Sequence, residues 1–129
     1  MKFSNLLERL NYKEIKNIEQ YLDKFFNEND IDLKFSGHFK KRIIRREIEK
    51  DELIDTFLKL YSKYKQKIKR DNYKAFVFNI SNYLGIPIVI EYNKSKDMFN
   101  LYPKTVFKND EEDKMINTAK KNDEDLLKV

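Results

Sequence analysis

A chain of 129 residues with 40% hydrophobic and 14% aromatic side chains is long enough to bury one hydrophobic core, which predicts a single folded domain. The absence of cysteine excludes disulfides, thiolate nucleophiles and zinc sites built on thiolates. No apolar run approaches the roughly 20 residues that a membrane-spanning helix needs, so we expect no membrane partner.

The net charge of +5 is concentrated in the middle of the chain. Residues 38–70 carry 12 basic and 5 acidic side chains, a net charge of +7, whereas residues 109–129 carry 4 basic and 7 acidic ones. Such a basic segment favours an anionic partner such as RNA or DNA. The alternative is a solvated helical face in a lysine-rich chain, and the charge alone does not decide between the two.

The first half of the chain has the periodicity of helices around one strand. Residues 12–26 repeat apolar side chains every three or four positions and predict an amphipathic helix, preceded by a short helical turn over residues 3–9. "IDLKFS" alternates apolar and polar residues, as in a half-buried strand. Ser36 is the expected N-cap of a helix that reaches about Arg46, and a longer helix is expected over residues 51–69.

The second half changes to a period of two. "YKAFVFNIS", "IPIVIEYN" and "DMFNLYPKTVFK" are rich in aromatic and β-branched residues and predict three strands. The connector "NKSK" has hairpin length, so the second and third of these strands should pair antiparallel. Pro103 cannot donate to a ladder and is expected at an edge or a bulge. Residues 109–129 predict an acidic tail that is flexible or helical.

The order of these elements predicts an α+β fold. Its elements are N-terminal helices, then a strand, two helices and a three-stranded antiparallel continuation of the sheet. The predicted organisation is an N-terminal helical extension over residues 1–30, an α+β domain over residues 31–108, and the tail.

Five stretches carry a resemblance to a known family. "IKNIEQYLDKFF", "IDLKFSGHFKKRI", "KDELIDTFLKLYSKYKQKI", "GIPIVIEYN" and "LYPKTVFK" cover roughly residues 12–108 in order. Together they resemble small proteins and domains encoded by tailed bacteriophages. Their arrangement looks like the nuclease fold of RelE-type toxins, barnase, EndoU and colicin-type ribonucleases. The resemblance implies this fold and makes RNA cleavage one activity to consider.

Three residues are candidates for catalysis. RNA cleavage without a metal needs a base, an acid and groups that stabilise charge on the phosphate. His38 is the only histidine, and histidine titrates near neutral pH. Arg42 follows one helical turn later on the same face. The family resemblance favours Thr105, on the last predicted strand, as a donor to phosphate. The alternative for His38 is a structural role, as a cap or a residue packed against the sheet.

Five further cations are candidates for nucleic-acid binding: Lys40, Lys41, Arg45, Arg46 and Lys104. Arginine stands at three of the cationic positions after His38 in a chain with far more lysine, which favours bidentate contact with phosphate. The sequence contains no Gly-rich phosphate loop and no metal-ligand pattern, so we expect no cofactor and no metal site.

Three hypotheses about function follow. The first is a phage accessory or virion-associated protein that binds nucleic acid, with RNA favoured, through its cationic helices. The second is a metal-independent endoribonuclease that uses His38 and Arg42. The third is a virion structural or assembly protein that docks onto other phage or host proteins through its N-terminal helix and tail. The polar Asn and Asp of the family pattern are replaced by "KKRIIRREI" after His38, which favours binding over catalysis. The expected location is the host cytoplasm or the virion.

Overall fold

The fold combines four helices with a six-stranded mixed sheet in the computed structural model, which describes residues 10–108 and 112–129. The helices are α1 (Tyr12–Asn27), α2 (Gly37–Arg45), α3 (Lys50–Tyr64) and α4 (Glu112–Lys121). The strands are β1 (Ile31–Leu33), β2 (Tyr73–Asn79), β3 (Leu84–Asn93), β4 (Met98–Pro103), β5 (Phe107–Lys108) and β6 (Asp125–Lys128). The predicted α+β class is confirmed, while the helical turn predicted over residues 3–9 lies outside the described residues.

The sheet has the strand order β1-β4-β3-β2-β6, and the short strand β5 pairs with the beginning of β3. The neighbours β2, β3 and β4 are antiparallel, whereas both outer strands run parallel to the strand beside them. Asn93 pairs with Met98 across the β3–β4 turn, so the predicted hairpin is confirmed.

Local capping explains where the helices begin. At α1, the Asn11 side chain accepts from the Glu14 amide at 2.9 Å, and the Glu14 carboxylate accepts from the Asn11 amide at 3.2 Å. At α2, the Ser36 hydroxyl accepts from the Phe39 amide at 3.1 Å, which confirms the predicted N-cap. Each bond satisfies an amide that the helix itself leaves unpaired.

Helix α3 ends at Tyr64, earlier than the predicted Lys69. The chain continues in hydrogen-bonded turns, in which the Asn29 side chain donates to the carbonyl of Lys65 at 2.8 Å. Ile68 then turns into the core and is fully buried. The Ile68 amide still donates to the carbonyl of Tyr64, four residues earlier, at 3.1 Å, so the apolar period persists past the end of the helix and keeps Ile68 inside.

Both faces of the sheet are covered, but unequally. Helices α1, α2 and α3 pack on one face and enclose the main core, to which α1 contributes Ile15, Leu22 and Phe26. Helix α4 covers part of the other face, where a smaller cluster contains Phe76, Phe78, Met115 and Ala119. This second layer comes from the C-terminal segment.

The C-terminal segment is therefore part of the fold. Of the two predicted alternatives, the helical one is present as α4, and the following strand β6 was not predicted. Strand β6 pairs with β2 through residues 125–128, and the Val129 amide donates to the carbonyl of Phe78 at 2.9 Å. Leu127 and Val129 are buried in the main core.

Carboxylates of α1 close the outer edge of β1. Asp23 accepts from the Leu33 amide at 2.8 Å, and Glu19 accepts from the Phe35 amide at 2.6 Å. These amides point away from β4 and would otherwise offer a free edge to another strand. Glu19 also lies 3.6 Å from the ammonium of Lys40, so that one carboxylate connects α1, the end of β1 and α2.

Candidate nucleic-acid interface

His38 and Arg42 meet on the exposed side of α2. The Arg42 Nε donates to the His38 Nε2 at 3.4 Å, one helical turn apart, as the spacing predicts. His38 lies in the first turn of α2 and is exposed, so it does not pack against the sheet. In this arrangement the Nε2 lone pair is already engaged by a cationic donor.

The other cations of α2 divide into two groups. Lys40 pairs with Glu19, and Arg46 lies over the Phe107 ring with its Cζ 5.1 Å from the ring centroid. Lys41 and Arg45 are exposed. The ion pairs within the described part of the chain leave three cations of this helix and one at its C-cap without a carboxylate partner, namely Lys41, Arg42, Arg45 and, at the C-cap, Arg46. We call these four residues the α2 cationic face.

Lys104 and Thr105 do not lie on a strand, so that prediction is wrong. Strand β4 ends at Pro103, and residues 104–106 connect it to β5. The physical reason is the register between β3 and the strands that pair with it. Pro103 pairs with residue 88 and Phe107 with residue 85, so four steps along this chain segment face only three steps along β3. An extra residue of this kind interrupts a strand, as a bulge does.

Lys104 and Thr105 lie on the connection between β4 and β5 and have no described contact with His38. Lys104 is exposed and Thr105 is half-buried. Burial raises the pKa of the Glu124 carboxyl, and the charges of Lys104 and Lys74 oppose that rise. Lys104 thus acts electrostatically on the segment that precedes β6. The described contacts bring His38 and Arg42 together but join neither of them to Thr105 or Lys104.

The basic block of residues 38–70 is divided between two places on the molecule. Helix α3 has 15 residues and is about 22 Å long. Its first turn lies near β5, where Glu52 pairs with Lys108 at 2.9 Å. The turns that follow its last residue lie near the start of β1, where Lys69 pairs with Asp30 at 3.8 Å. The α2 cationic face belongs to the first end, and a second group of cations belongs to the other.

Sequence reasoning missed this second cationic end. Its lysines follow α3, and its aromatic residues are Tyr92 on β3 and Phe99 on β4, which are register partners. The predicted hairpin was a sufficient signal to place these two rings side by side. The connection from α3 to β2, which brings Lys69 to the same end, has no comparable signal in the sequence.

Other classes of site find no support in the described part of the chain. It contains no group of three or more His, Cys, Asp or Glu side chains arranged to hold a metal ion. Within the same residues, no helix is both long and apolar enough to cross a membrane. A groove of about 550 Å³ between α1 and α3 is lined by Glu14, Asn17, Ile18, Tyr21, Lys50 and Ile54. This lining offers neither a nucleophile with a base nor a cluster of cations.

Comparison with protein-family models, curated proteins and solved structures found no match to this chain.

Proposed function

We propose that this chain is a phage-encoded accessory protein with a nuclease-like fold that binds nucleic acid, RNA in particular, without cleaving it. The observation that carries this proposal is the α2 cationic face, in which four cations on one short helix and its C-cap have no carboxylate partner among the described residues. A phosphate backbone supplies the complementary anions at regular spacing.

The type of cation supports phosphate as the ligand. Three of the four residues are arginine, whose planar guanidinium can donate two parallel hydrogen bonds to one phosphate. Arg42 and Arg46 are also held by neighbours, the first by His38 and the second by the Phe107 ring. Held side chains lose less conformational freedom when they bind, so these two arginines are partly preorganised.

Salt dependence tests the proposal. Each contact with a single-stranded phosphate contributes about −0.7 to the slope of log K against log salt, so four contacts predict a slope of about −3. Fluorescence anisotropy with a labelled single-stranded RNA gives this slope. The double variant Arg42→Ala/Arg45→Ala should make it less steep by about 1.4.

A matched control separates local contact from overall charge. The double variant Lys120→Ala/Lys121→Ala removes the same charge from exposed positions on α4. We expect this control to keep the slope of the original protein. Salt-independent binding, or an equal effect of both double variants, would contradict binding through α2.

The endoribonuclease alternative has one observation in its favour, the placement of an exposed His38 beside Arg42 on the same face of α2. No second acid or base is joined to His38 by the described contacts, which is why we favour binding. Incubation with total RNA decides between the two functions. We expect the cleavage by the original protein and by His38→Ala to be equal, and a histidine-dependent excess would establish the alternative.

A further inference from the structure

Two aromatic side chains lie side by side at the end of the sheet that α3 reaches with its last turn. Tyr92 and Phe99 are cross-strand partners beside the β3–β4 turn, with ring centroids 5.1 Å apart and planes at 54°. Tyr92 is 39% exposed, and Phe99 is half-buried against the main core. Tyr92 is therefore partly open to solvent while its ring contacts that of Phe99.

One cation contacts this pair of rings, and others lie on the neighbouring segments at the same end of the sheet. The Lys69 ammonium lies 5.9 Å from the centroid of the Phe99 ring, and the Arg70 guanidinium lies 4.6 Å from that of Tyr73. Further lysines at this end, on the last turn of α3, the connection to β2 and the β3–β4 turn, are all exposed: Lys63, Lys65, Lys67, Lys94 and Lys96. We call the two rings and these seven cations the aromatic end.

The carboxylates at this end are mostly engaged in holding the structure. Asp71 accepts from the Tyr92 amide at 2.9 Å, and Asp97 accepts from the Tyr92 hydroxyl. Asp30 pairs with Lys69. Tyr92 is thus fixed both at its backbone and at the tip of its ring, so little conformational freedom remains to be lost when a ligand stacks on it.

We infer that the aromatic end binds single-stranded nucleic acid by stacking one unpaired base on Tyr92 while the surrounding lysines contact the flanking phosphates. This inference rests on the proposed function and adds a second contact, apart from the α2 cationic face. Every base has a π-face, so stacking selects unpaired bases and tolerates different sequences. Bases inside a duplex are stacked on one another and cannot reach the ring.

Removing the bases from the ligand tests the inference directly. Fluorescence anisotropy would compare a labelled oligothymidylate of about 12 nucleotides with an abasic backbone of the same length. The original protein should bind the oligothymidylate more tightly. Tyr92→Ala should weaken that binding by about 5- to 150-fold and leave binding to the abasic backbone unchanged.

Two variants separate stacking from other effects of the substitution. Tyr92→Phe keeps the ring but removes the hydroxyl that donates to Asp97, so it should retain most of the affinity. Tyr12→Ala removes another exposed tyrosine, 52% accessible at the start of α1, and should have no effect. If Tyr92→Phe lowers the affinity for oligothymidylate as much as Tyr92→Ala does, the inference is overturned, because a variant that keeps the ring would then have lost the binding attributed to stacking.

The outcomes distinguish this inference from the proposed function. Base stacking is overturned if the original protein binds the oligothymidylate and the abasic backbone equally, or if Tyr92→Ala binds the oligothymidylate as tightly as the original protein does. Salt-dependent binding through α2 stands in either case. If the original protein binds neither ligand, both the proposed function and the inference are overturned.

Discussion

Substituting Leu127 by alanine tests whether the C-terminal strand is an integral part of the core. Leu127 is fully buried in the main core, whereas its neighbour Leu126 is only partly buried against the smaller cluster on the opposite face. Truncating a buried leucine to alanine costs about 2–5 kcal/mol, because the lost contacts leave a cavity that closes only in part. We therefore expect Leu127→Ala to lower the free energy of unfolding by about 3 kcal/mol.

Urea unfolding followed by circular dichroism measures this loss. With a slope of about 2 kcal/mol per molar urea, a loss of about 3 kcal/mol moves the unfolding midpoint down by about 1.5 M. Leu126→Ala is the matched control and should cost about 1 kcal/mol, since less of its side chain is buried. If the midpoint of Leu127→Ala stays within error of the original, β6 is not packed on the sheet and the reasoning fails.

Two further predictions concern packing and pH. A Cβ at Gly85 would lie 2.6 Å from Phe76 Cε1 and 2.7 Å from Met115 Sδ, so Gly85→Ala should destabilise the fold by about 1–3 kcal/mol. Thermal unfolding should show that Gly85→Ala lowers the Tm less in a Met115→Ala background than in the original protein, and an unchanged Tm in Gly85→Ala would contradict the close packing. Burial, together with the hydrogen bond to Asp125, raises the pKa of Tyr73 above its ordinary 10.0. The unfolded chain therefore loses the Tyr73 proton first, and stability should fall as the pH rises above about 10. The difference in Tm between the original and Tyr73→Phe should change over that range, and a constant difference would refute the assignment.

The parts of the fold that depend on neighbours in sequence were predictable. Residues 12–26 were expected as a helix and form α1, and the cap at Ser36 is present, because both depend on side chains within one or two turns. The pairing of His38 with Arg42 belongs to the same class, since a spacing of four residues on a helix brings two side chains together.

The parts that depend on long-range pairing were not predictable. Strand β6 joins β2 about 50 residues away along the chain, and its sequence "DLLK" lacks the alternation of a half-buried strand. The reason is that the sheet is covered on both faces here, so that Leu126 and Leu127 each have an apolar layer to enter. For Lys104 and Thr105, a single extra residue in the register removed the strand on which their predicted roles depended.

The division of the basic block has a consequence for the size of the ligand. The α2 cationic face and the aromatic end are separated by the length of α3, about 22 Å. At about 3.4 Å per nucleotide in a helical strand, that distance corresponds to about six or seven nucleotides. On the proposed function, a shorter strand would occupy one end only, whereas a longer one would contact both, and the second contact would then form at a high effective concentration. Affinity should therefore rise steeply with ligand length beyond about seven nucleotides, and Tyr92→Ala should flatten that rise.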